Sequence, residues 1–497
     1  MSRRSLAGRL FGLGRWTATA VAVGLVLFLG LRIWESQRGP PLEVWHTFVP
    51  EELAPAELET ADWAGYLAAE ERIFAALRTE VTQRLPAEER VPVNRYFEGS
   101  PIYPGHFAQD WNRSQVLMPD GPPKGAAVLL HGLTDAPYSQ RHIGGLYRDH
   151  GFVAIIPRLP AHGTVPAALT DIEWPSWAAA TRLAVREARR LAGPDLPLHL
   201  VGFSNGGALA LQYALDAIED PALRRPDRLV LVSPMVGITA FARFAGIAGW
   251  PALFPAFAKA AWLSVVPEFI PFKYNSFPVN GARQSFLLTQ ALQAQINRLA
   301  RAGRLGELAP VLTFQSVVDF TVSTRAIVTS LYGQLPANGS ELVLFDLNRT
   351  IKFGPLLSAS ADTVLARIVP PPPRSYALAI VANADSEAGT ASDAMVERLT
   401  PAGATEETVK PLSLVYPPTV FSLSHLALPF PVSDALYGMA PDEPLDFGIS
   451  LGTLATRGER GALIVSLDSL LRMTSNPFFP YLAGRIADPL PPAGAGG

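Results

Sequence analysis

The residue type and spacing that most directly suggest chemistry surround a single serine. Ser204 is the centre of a G-x-S-x-G pentapeptide, Gly202 to Gly206, which follows an apolar run and opens an Ala-rich segment from 207 to 217. This spacing predicts a strand, a sharp turn and a helix, because the two glycines let strand and helix pass closely on either side of a strained serine. A serine hydroxyl becomes an effective nucleophile when a histidine takes its proton. The chain has one histidine beyond Ser204, and it is His425.

Three further apolar runs are predicted as strands, and each ends in polar residues. They are the run from 128, which ends in His131-Gly132-Leu133-Thr134, the run from 153, which ends in a second His-Gly pair at 162–163, and the run from 311, which ends in Asp319. Helical patterns separate these strands. The alternation predicts a mostly parallel sheet wrapped by helices.

In this order the motifs resemble the α/β-hydrolase superfamily, and most closely its bacterial carboxylesterases and monoacylglycerol lipases. The resemblance covers roughly residues 125 to 348 and the segment around His425. It implies the α/β-hydrolase fold, which is a mostly parallel sheet with helices on both faces. It also implies a triad with Ser204 as nucleophile, Asp319 as acid and His425 as base, since this family places its base after the serine and the acid.

The same resemblance implies an oxyanion hole formed by two backbone N–H groups, those of Leu133 and Asn205. The expected reaction is hydrolysis of a carboxylic ester through an acyl-enzyme intermediate. This chemistry needs no cofactor. The sequence also shows no cluster of histidine, cysteine and carboxylate residues at metal-ligand spacing, so we expect no metal.

Two aspartates are candidates for the acid. Asp319 precedes His425 by 106 positions, more than in compact members of the family, so an insertion must lie between them. Asp385 also follows an apolar run. We favour Asp319 because a predicted helix, Thr324 to Leu335, and a further strand, 341–345, continue the expected alternation after it.

Changes in composition predict eight consecutive segments. They are a basic terminus with a transmembrane signal anchor (1–39), an N-terminal helix with a covering loop (40–115), a first part of the core (116–236), a cap insertion (237–305), a second part of the core (306–348), a second insertion (349–411), a C-terminal core part with the histidine (412–488) and a disordered tail (489–497).

The cap insertion is apolar and rich in aromatic residues. These are Phe241, Phe244, Trp250, Phe254, Phe257, Trp262, Phe269, Phe272 and Phe277. Such a surface suits a long acyl chain or another apolar substrate, because it buries apolar area without requiring specific polar partners.

Some local predictions accompany this organisation. The second insertion contains four consecutive prolines, Pro370 to Pro373, and is predicted as a small appended αβ unit with a strand after Tyr376 and a helix over Ser392 to Leu399. In the core, a helix is predicted over Ser176 to Ala192, with Ser176 as its N-cap. An amphipathic helix is predicted over Ala61 to Leu85 and is expected to pack on the core.

The composition is that of a globular enzyme. Of 497 residues, 48% are hydrophobic, and the formal net charge is −3, so nothing favours nucleic acid or a strongly charged partner. There is no cysteine, which excludes disulfides. The expected partners are therefore a small-molecule or lipid ester and, through the N-terminal helix, a membrane.

The N-terminus predicts membrane targeting. An uncharged apolar run from Trp16 to Leu31 follows four arginines and no acidic residue, a bias that keeps this end in the cytoplasm. The run is short for a spanning helix, which needs about 20 residues, but Ile33 and Trp34 extend it if Arg32 snorkels. A cleaved signal peptide is the alternative. We favour a signal anchor because no small-residue cleavage site follows the run, and we expect the catalytic body on the extracytoplasmic (periplasmic) side.

Two other functions remain open at this point. The first is a serine peptidase of the same fold, for which Glu268 is a lone candidate to bind a substrate amino group. The second is a membrane-anchored binding protein without catalysis, which the complete order of serine, aspartate and histidine disfavours.

Overall fold

The apolar runs of the sequence form strands of one large sheet in the structure, a computed structural model. It describes residues 3–237, 250–350, 363–385, 391–443, 446–454 and 472–493. The strands are β1 Gln115–Leu117, β2 Gly125–Leu130, β3 Phe152–Ile156, β4 Leu198–Phe203, β5 Arg228–Val232, β6 Trp262–Ser264, β7 Phe277–Pro278, β8 Val311–Ser316, β9 Glu341–Phe345, β10 Ala377–Asp385, β11 Ala391–Thr400 and β12 Thr408–Val415.

We label the helices of nine residues or more, and give the shorter ones by their bounds. The labelled helices are α1 Arg3–Ser36, α2 Trp63–Glu80, α3 Arg141–Asp149, α4 Trp174–Ala192, α5 Asn205–Glu219, α6 Val279–Arg301 and α7 Phe479–Ala487. The shorter helices are Val44–Thr47, Pro55–Thr60, Thr324–Ala326, the π-helix Ile327–Tyr332 and Val364–Ile368.

The main sheet has the strand order β1-β3-β2-β4-β5-β8-β9-β10-β11-β12. Every pair from β3 to β10 is parallel, whereas β1, β11 and β12 are antiparallel to their neighbours. Parallel strands end at the same edge, so the loops after β2, β4 and β8 meet there. The predicted motifs at the ends of these three strands are thereby brought to one edge of the sheet.

The two faces of the sheet bury different side chains of the same strands. On β2, Ala126, Val128 and Leu130 pack on one face, and Ala127 and Leu129 pack on the other. Helices α4, α5 and α6 cover the first face, and α3 and α7 cover the second. A strand buried on both faces is apolar throughout, which explains the unbroken apolar runs of the sequence. The predicted mostly parallel sheet with helices on both faces is confirmed.

The second insertion differs from its prediction. The segment predicted as a helix, Ser392 to Leu399, lies in strand β11, and that prediction was wrong. Its residues have good helix propensity, but propensity is a weak preference, and here pairing with β10 on one side and β12 on the other satisfies the backbone instead. In the described residues, the segment from 377 to 415 therefore extends the main sheet as three long strands.

Two helix predictions also need correction. Helix α4 begins at Trp174, and Glu173 is its N-cap, while Ser176 lies inside the first turn and is buried. Pro175 explains this earlier start, because its fixed φ suits the first turn of a helix and its missing N–H has no acceptor there. The helix predicted from Thr324 to Leu335 is α-helical only over Thr324–Ala326 and continues as a π-helix, Ile327–Tyr332.

The N-terminal segment consists of one long exposed helix and one packed helix. Within α1, residues Gly14–Trp34 are long and apolar enough to cross a membrane, and none of this stretch is buried in the protein. Helix α2 packs on the core through Trp63 and Tyr66, as predicted from its periodicity. A buried ion pair holds this region to the body, since Arg158 Nη1 lies 2.8 Å from Glu52 Oε1.

The cap is described from residue 250 onwards, so Phe241 and Phe244 lie outside the described residues. Two 3₁₀ segments, Trp250–Leu253 and Pro255–Ala261, lead into the β6–β7 pair and then into α6. Phe269 and Phe272 join a buried aromatic cluster with Tyr138, Phe430 and Phe447. These cap aromatics thus pack the cap on the body.

The chain end contacts the body at the residues that the structure describes. Leu490 is buried, and the carbonyl oxygen of Pro491 lies 2.6 Å from His150 Nδ1. These residues belong to the segment predicted as a disordered tail. The apolar Leu490 side chain packs against the cluster on the α7 face of the sheet.

Candidate active site

The turn between β4 and α5 holds Ser204 in a strained conformation. Its φ is 54° and its ψ is −115°, which an L-residue rarely adopts. A Cβ on Gly202 would lie 2.3 Å from the carbonyl oxygen of Gly206, and a Cβ on Gly206 would lie 2.1 Å from that of Leu130. Both glycines are therefore required by close backbone contacts, as the pentapeptide predicts.

The histidine and the favoured aspartate meet although they are far apart in the chain. His425 Nδ1 lies 2.8 Å from Asp319 Oδ2, and His425 is only 3% exposed. The other carboxylate oxygen of Asp319 accepts hydrogen bonds from the N–H groups of Thr321 and Val322, at 2.7 and 2.9 Å. Gln315 Nε2 donates to Asp319 Oδ2 at 3.1 Å. The carboxylate is thus held from both sides while one oxygen faces the imidazole.

These contacts keep the aspartate ionised. Burial alone raises the pKa of Asp319, but the nearby His425 and the hydrogen bonds to the carboxylate outweigh it, so the pKa of Asp319 lies below its ordinary value. An ionised carboxylate at this position favours the imidazole tautomer with its proton on Nδ1. The unprotonated Nε2 is then available as a base.

The loop that carries His425 is fixed over the ends of β8 and β9. The Ser316 hydroxyl donates to the carbonyl oxygen of Leu423 at 2.9 Å, and the N–H of Asn348 donates to that of Phe421 at 3.0 Å. The imidazole packs against the ring of Phe203, the residue before Ser204, with ring centroids 5.2 Å apart. The histidine therefore lies beside the serine turn. The Ser204 hydroxyl itself makes no hydrogen bond to any residue that the structure describes.

The rival aspartate has a different environment. Asp385 is the last residue of β10, and its side chain is 85% exposed. Its carboxylate pairs with Arg398 of the neighbouring strand at 3.1 Å. Asp319, and not Asp385, is the aspartate that contacts His425.

The two amides predicted to hold an oxyanion are both unoccupied donors. Within the described ranges, neither the N–H of Leu133 nor that of Asn205 donates to a protein acceptor. Asn205 is the first residue of α5, where backbone N–H groups have no partner within the helix. A Cβ on Gly132 would lie 3.4 Å from Ser204 Cβ, so the loop before Leu133 passes close to the serine.

Two buried histidines shape the neighbouring loops. His131 Nδ1 lies 3.0 Å from the carbonyl oxygen of Gly132, and its Nε2 accepts a hydrogen bond from the N–H of Leu159 at 3.0 Å. His162 packs beside it, with ring centroids 5.0 Å apart. Burial lowers the pKa of His131 and lowers that of His162 to about 3, so both stay neutral and act as braces between loops.

The family comparison agrees with this topology. Residues 127–371 match the model of the Alpha/beta hydrolase family. The chain contains an α/β-hydrolase domain. No curated protein sequence matches the chain.

Solved structures similar to the hydrolase domain each overlap slightly less than half of the chain. One of the metagenome-derived lipolytic enzymes LipS and LipT is 19% identical and covers 48% of this chain and 88% of its own, with a TM-score of 0.38. A monoacylglycerol lipase of Paleococcus ferrophilus is 17% identical; the match covers 47% of this chain and 87% of the lipase, with a TM-score of 0.35. A thermostable carboxyl esterase of Bacillus coagulans, solved with glycerol, is 14% identical; the match covers 46% of this chain and 83% of the esterase, with a TM-score of 0.35.

A cavity of about 340 Å³ opens beside the serine turn of the hydrolase domain. Phe203 and Leu426, the neighbours of Ser204 and His425 in the chain, form part of its wall. The remaining lining combines aromatic, aliphatic and charged side chains. It consists of Asp135, Phe269, Ile270, Lys273, Tyr274, Asn275, Phe430, Tyr437, Leu451, Arg472 and Thr474.

Sequence reasoning missed the charged residues of this cavity. Asp135 follows the predicted oxyanion loop, Lys273 lies in the cap, and Arg472 lies near the C-terminus. A signal was available for Lys273, because it is the one cation between Phe269 and Phe277 in the aromatic cap.

The cap carboxylate considered for a peptidase does not reach this cavity. Glu268 is 1% exposed, and its oxygens accept hydrogen bonds from the N–H groups of Asn275 and Ser276 at 2.9 and 2.7 Å. A carboxylate that is buried and bonded inside its own loop is not exposed to a substrate amino group. Glu268 therefore does not support a peptidase function.

Proposed function

We propose that the hydrolase domain cleaves carboxylic esters through an acyl-enzyme formed on Ser204. The observation that carries the proposal is the 2.8 Å contact between His425 Nδ1 and Asp319 Oδ2 beside the strained serine turn. A serine on such a turn, an imidazole and an ionised carboxylate bonded to that imidazole are the components of acyl transfer with a histidine base.

In the proposed reaction, His425 Nε2 takes the proton of the Ser204 hydroxyl while its oxygen attacks the ester carbonyl carbon. The bond to the leaving alcohol then breaks, and His425 gives the proton to the alkoxide. Water attacks the acyl-serine along the same proton path and releases the carboxylic acid and free Ser204. Asp319 orients the imidazole and offsets its positive charge throughout.

The tetrahedral intermediate carries a negative oxygen that needs donors. We assign this role to the N–H groups of Leu133 and Asn205, because neither has an acceptor among the described residues and both lie near the serine. Each such donor contributes about 10²–10³ in rate. The backbone at Thr134, with φ 63°, is strained next to the Leu133 donor, as expected where a loop is held for function.

The substrate class follows from the cavity walls. Phe269, Phe430 and Leu451 supply apolar area beside the serine, which suits esters with an apolar or acyl-chain part. A carboxylesterase or a lipase acting on single-chain lipids, such as a monoacylglycerol or a lysophospholipid, fits this size and character.

A fluorophosphonate probe tests the enzyme assignment directly. This reagent phosphonylates an activated serine, so wild-type protein should be labelled and the Ser204→Ala variant should not. Equal labelling of the two proteins would contradict the proposal, provided that circular dichroism shows the same fold for both.

We further propose that α1 anchors the protein in a membrane with the hydrolase domain on the extracytoplasmic side. The apolar stretch Gly14–Trp34 is unburied, and three arginines, at positions 3, 4 and 9, lie before it without any acidic residue. The full chain should stay with membranes through a carbonate wash, and removal of residues 1–38 should release it. A mature N-terminus at or beyond about residue 30 would instead mean a cleaved signal peptide.

A further inference from the structure

The cavity beside the serine turn holds charges that an apolar ester does not require. Phe203 and Leu426 border the proposed nucleophile and base, so a molecule in this cavity lies against the reacting atoms. The Asp135 carboxyl in the same wall is close enough to His425 for the two to interact electrostatically. The cavity is thus part of the active site, and its charges bear on which ester fits there.

The charge in this cavity that matters most for the argument is the ammonium group of Lys273. Its side chain is half-buried, and Nζ donates to the Thr134 hydroxyl oxygen at 3.2 Å. This is its one hydrogen bond within the described residues, and no described carboxylate oxygen lies within 4.0 Å of Nζ. An ammonium group has three donors. Two of them therefore have no acceptor among the described residues at the cavity wall.

A second cation lies in the same wall. Arg472, which is exposed, lines the cavity, and together with Lys273 it outweighs Asp135, the one carboxylate among the described lining residues. Burial lowers the pKa of Lys273, Asp135 acts against this, and Arg472 lowers it further. The two cations therefore repel each other across a small space, and the lining offers one carboxylate for both. A bound anion would relieve this repulsion.

We propose that this cavity selects an ester that also carries an anionic group, a carboxylate or a phosphate, which Lys273 and Arg472 bind. The inference rests on the proposed function and specifies its substrate. The apolar walls hold the hydrocarbon part, and the two cations hold the anionic oxygens a few atoms from the scissile bond. Charge-assisted hydrogen bonds of this kind are about twice as strong as neutral ones.

A purely structural role for Lys273 predicts a different result. Lys273 bonds to Thr134 of the oxyanion loop, and the N–H of Tyr274 also donates to the Thr134 carbonyl oxygen at 2.7 Å. If Lys273 only braced that loop, its loss would slow the hydrolysis of every ester alike. Anion recognition requires that the anionic esters lose more.

The test compares matched esters with the purified full chain in detergent. One pair is mono-4-nitrophenyl succinate against 4-nitrophenyl butyrate, which tests whether the enzyme prefers a carboxylate in the acyl part. The other pair is a lysophosphatidic acid against the monoacylglycerol of equal chain length, which asks for a phosphate in the alcohol part. Each pair gives a ratio of kcat/KM, anionic over neutral, and the pair with the higher ratio identifies the source of the anion.

For the preferred pair, we expect Lys273→Met to lower this ratio by about 10–100-fold and Arg472→Gln to lower it less, because charged hydrogen bonds of this strength are lost. Lys273→Arg keeps the charge and should retain most of the ratio. Lys410→Met, an exposed site on β12, is the matched control and should leave the ratio unchanged. Equal losses on both esters of each pair, or a wild-type preference for the neutral ester in both pairs, would overturn the proposal.

A binding measurement separates this proposal from the proposed function. Octyl phosphate should bind wild-type protein and the Ser204→Ala variant alike, and should bind Lys273→Met at least 10-fold more weakly. If wild type hydrolyses no ester but binds octyl phosphate through Lys273, the ester hydrolysis fails and the anion site stands. Binding that does not depend on Lys273 would overturn the anion site.

Discussion

Two strands of the same sheet have an aspartate at or just after their carboxyl end, and the surroundings of the two aspartates differ. β8 lies inside the parallel part of the sheet, between β5 and β9, and Asp319 after it accepts two backbone hydrogen bonds and faces His425. β10 lies where the sheet changes to antiparallel pairing, and Asp385 at its end is exposed and pairs with Arg398 on the surface.

The difference shows that a carboxylate after a strand becomes part of a site through what covers it. The segment before His425 packs on the ends of β8 and β9, with contacts from Ser316 and Asn348. In the described residues, β10 continues instead into an antiparallel extension, so its end stays open to solvent. Part of the chain between Asp319 and His425 forms strands that extend the sheet. The segment that follows these strands then packs over Asp319 and does not cover Asp385.

The largest loss of activity should come from substituting His425, which lies on the segment that packs over the end of β8. His425→Ala removes the proposed base, and loss of a triad histidine lowers kcat by about 10⁶ in comparable enzymes. Hydrolysis of 4-nitrophenyl butyrate should therefore fall to background. His106→Ala is the matched control, since His106 is exposed and far along the chain from the site. Activity above a few per cent in a folded His425→Ala protein would contradict the assignment.

The next largest loss of activity should come from substituting one of the two aspartates. Substituting each in turn compares the two strand ends directly. Asp319→Asn should lower kcat by about 10⁴, because the imidazole loses the carboxylate that sets its tautomer and offsets its charge. Asp385→Asn should stay near wild type, because an exposed ion pair contributes little. Steady-state kinetics on the same ester decides between them, and the reverse pattern would move the acid to β10.

Alanine substitutions of a glycine in each region should have different effects on protein stability and, above all, on activity. Gly206→Ala pushes a Cβ into backbone atoms that cannot rotate away, so we expect a loss of about 3 kcal/mol in the free energy of unfolding together with loss of turnover. Gly403→Ala, between β11 and β12, meets open space and carries only the strain of φ +74°, roughly 1–2 kcal/mol.

Denaturant unfolding and ester kinetics on both glycine variants check this comparison. Gly403→Ala should retain the wild-type kcat/KM, because the β11–β12 turn contributes nothing to the reacting atoms. If Gly206→Ala kept both stability and activity, the close packing at the serine turn would be wrong.

Much of the site could be predicted from the sequence because its signals are local. The strained turn at Ser204 needs glycines at fixed offsets, and the buried parallel strands need unbroken apolar runs, so both appear as short patterns. His425 could be identified because no other histidine follows Ser204. The helix predicted over Ser392 to Leu399 failed for the opposite reason, since pairing with two neighbouring strands outweighed local propensity.

The sequence by itself therefore determined the fold class, the strained turn at Ser204 and the candidate triad. Only the tertiary structure decided that Asp319 rather than Asp385 meets His425, because that depends on where a distant segment packs. It alone also brought Lys273 and Arg472 into one cavity with Asp135. These residues come from three distant parts of the chain, and a charge that is far away in sequence interacts strongly only when folding brings it within a few ångströms in a poorly hydrated space.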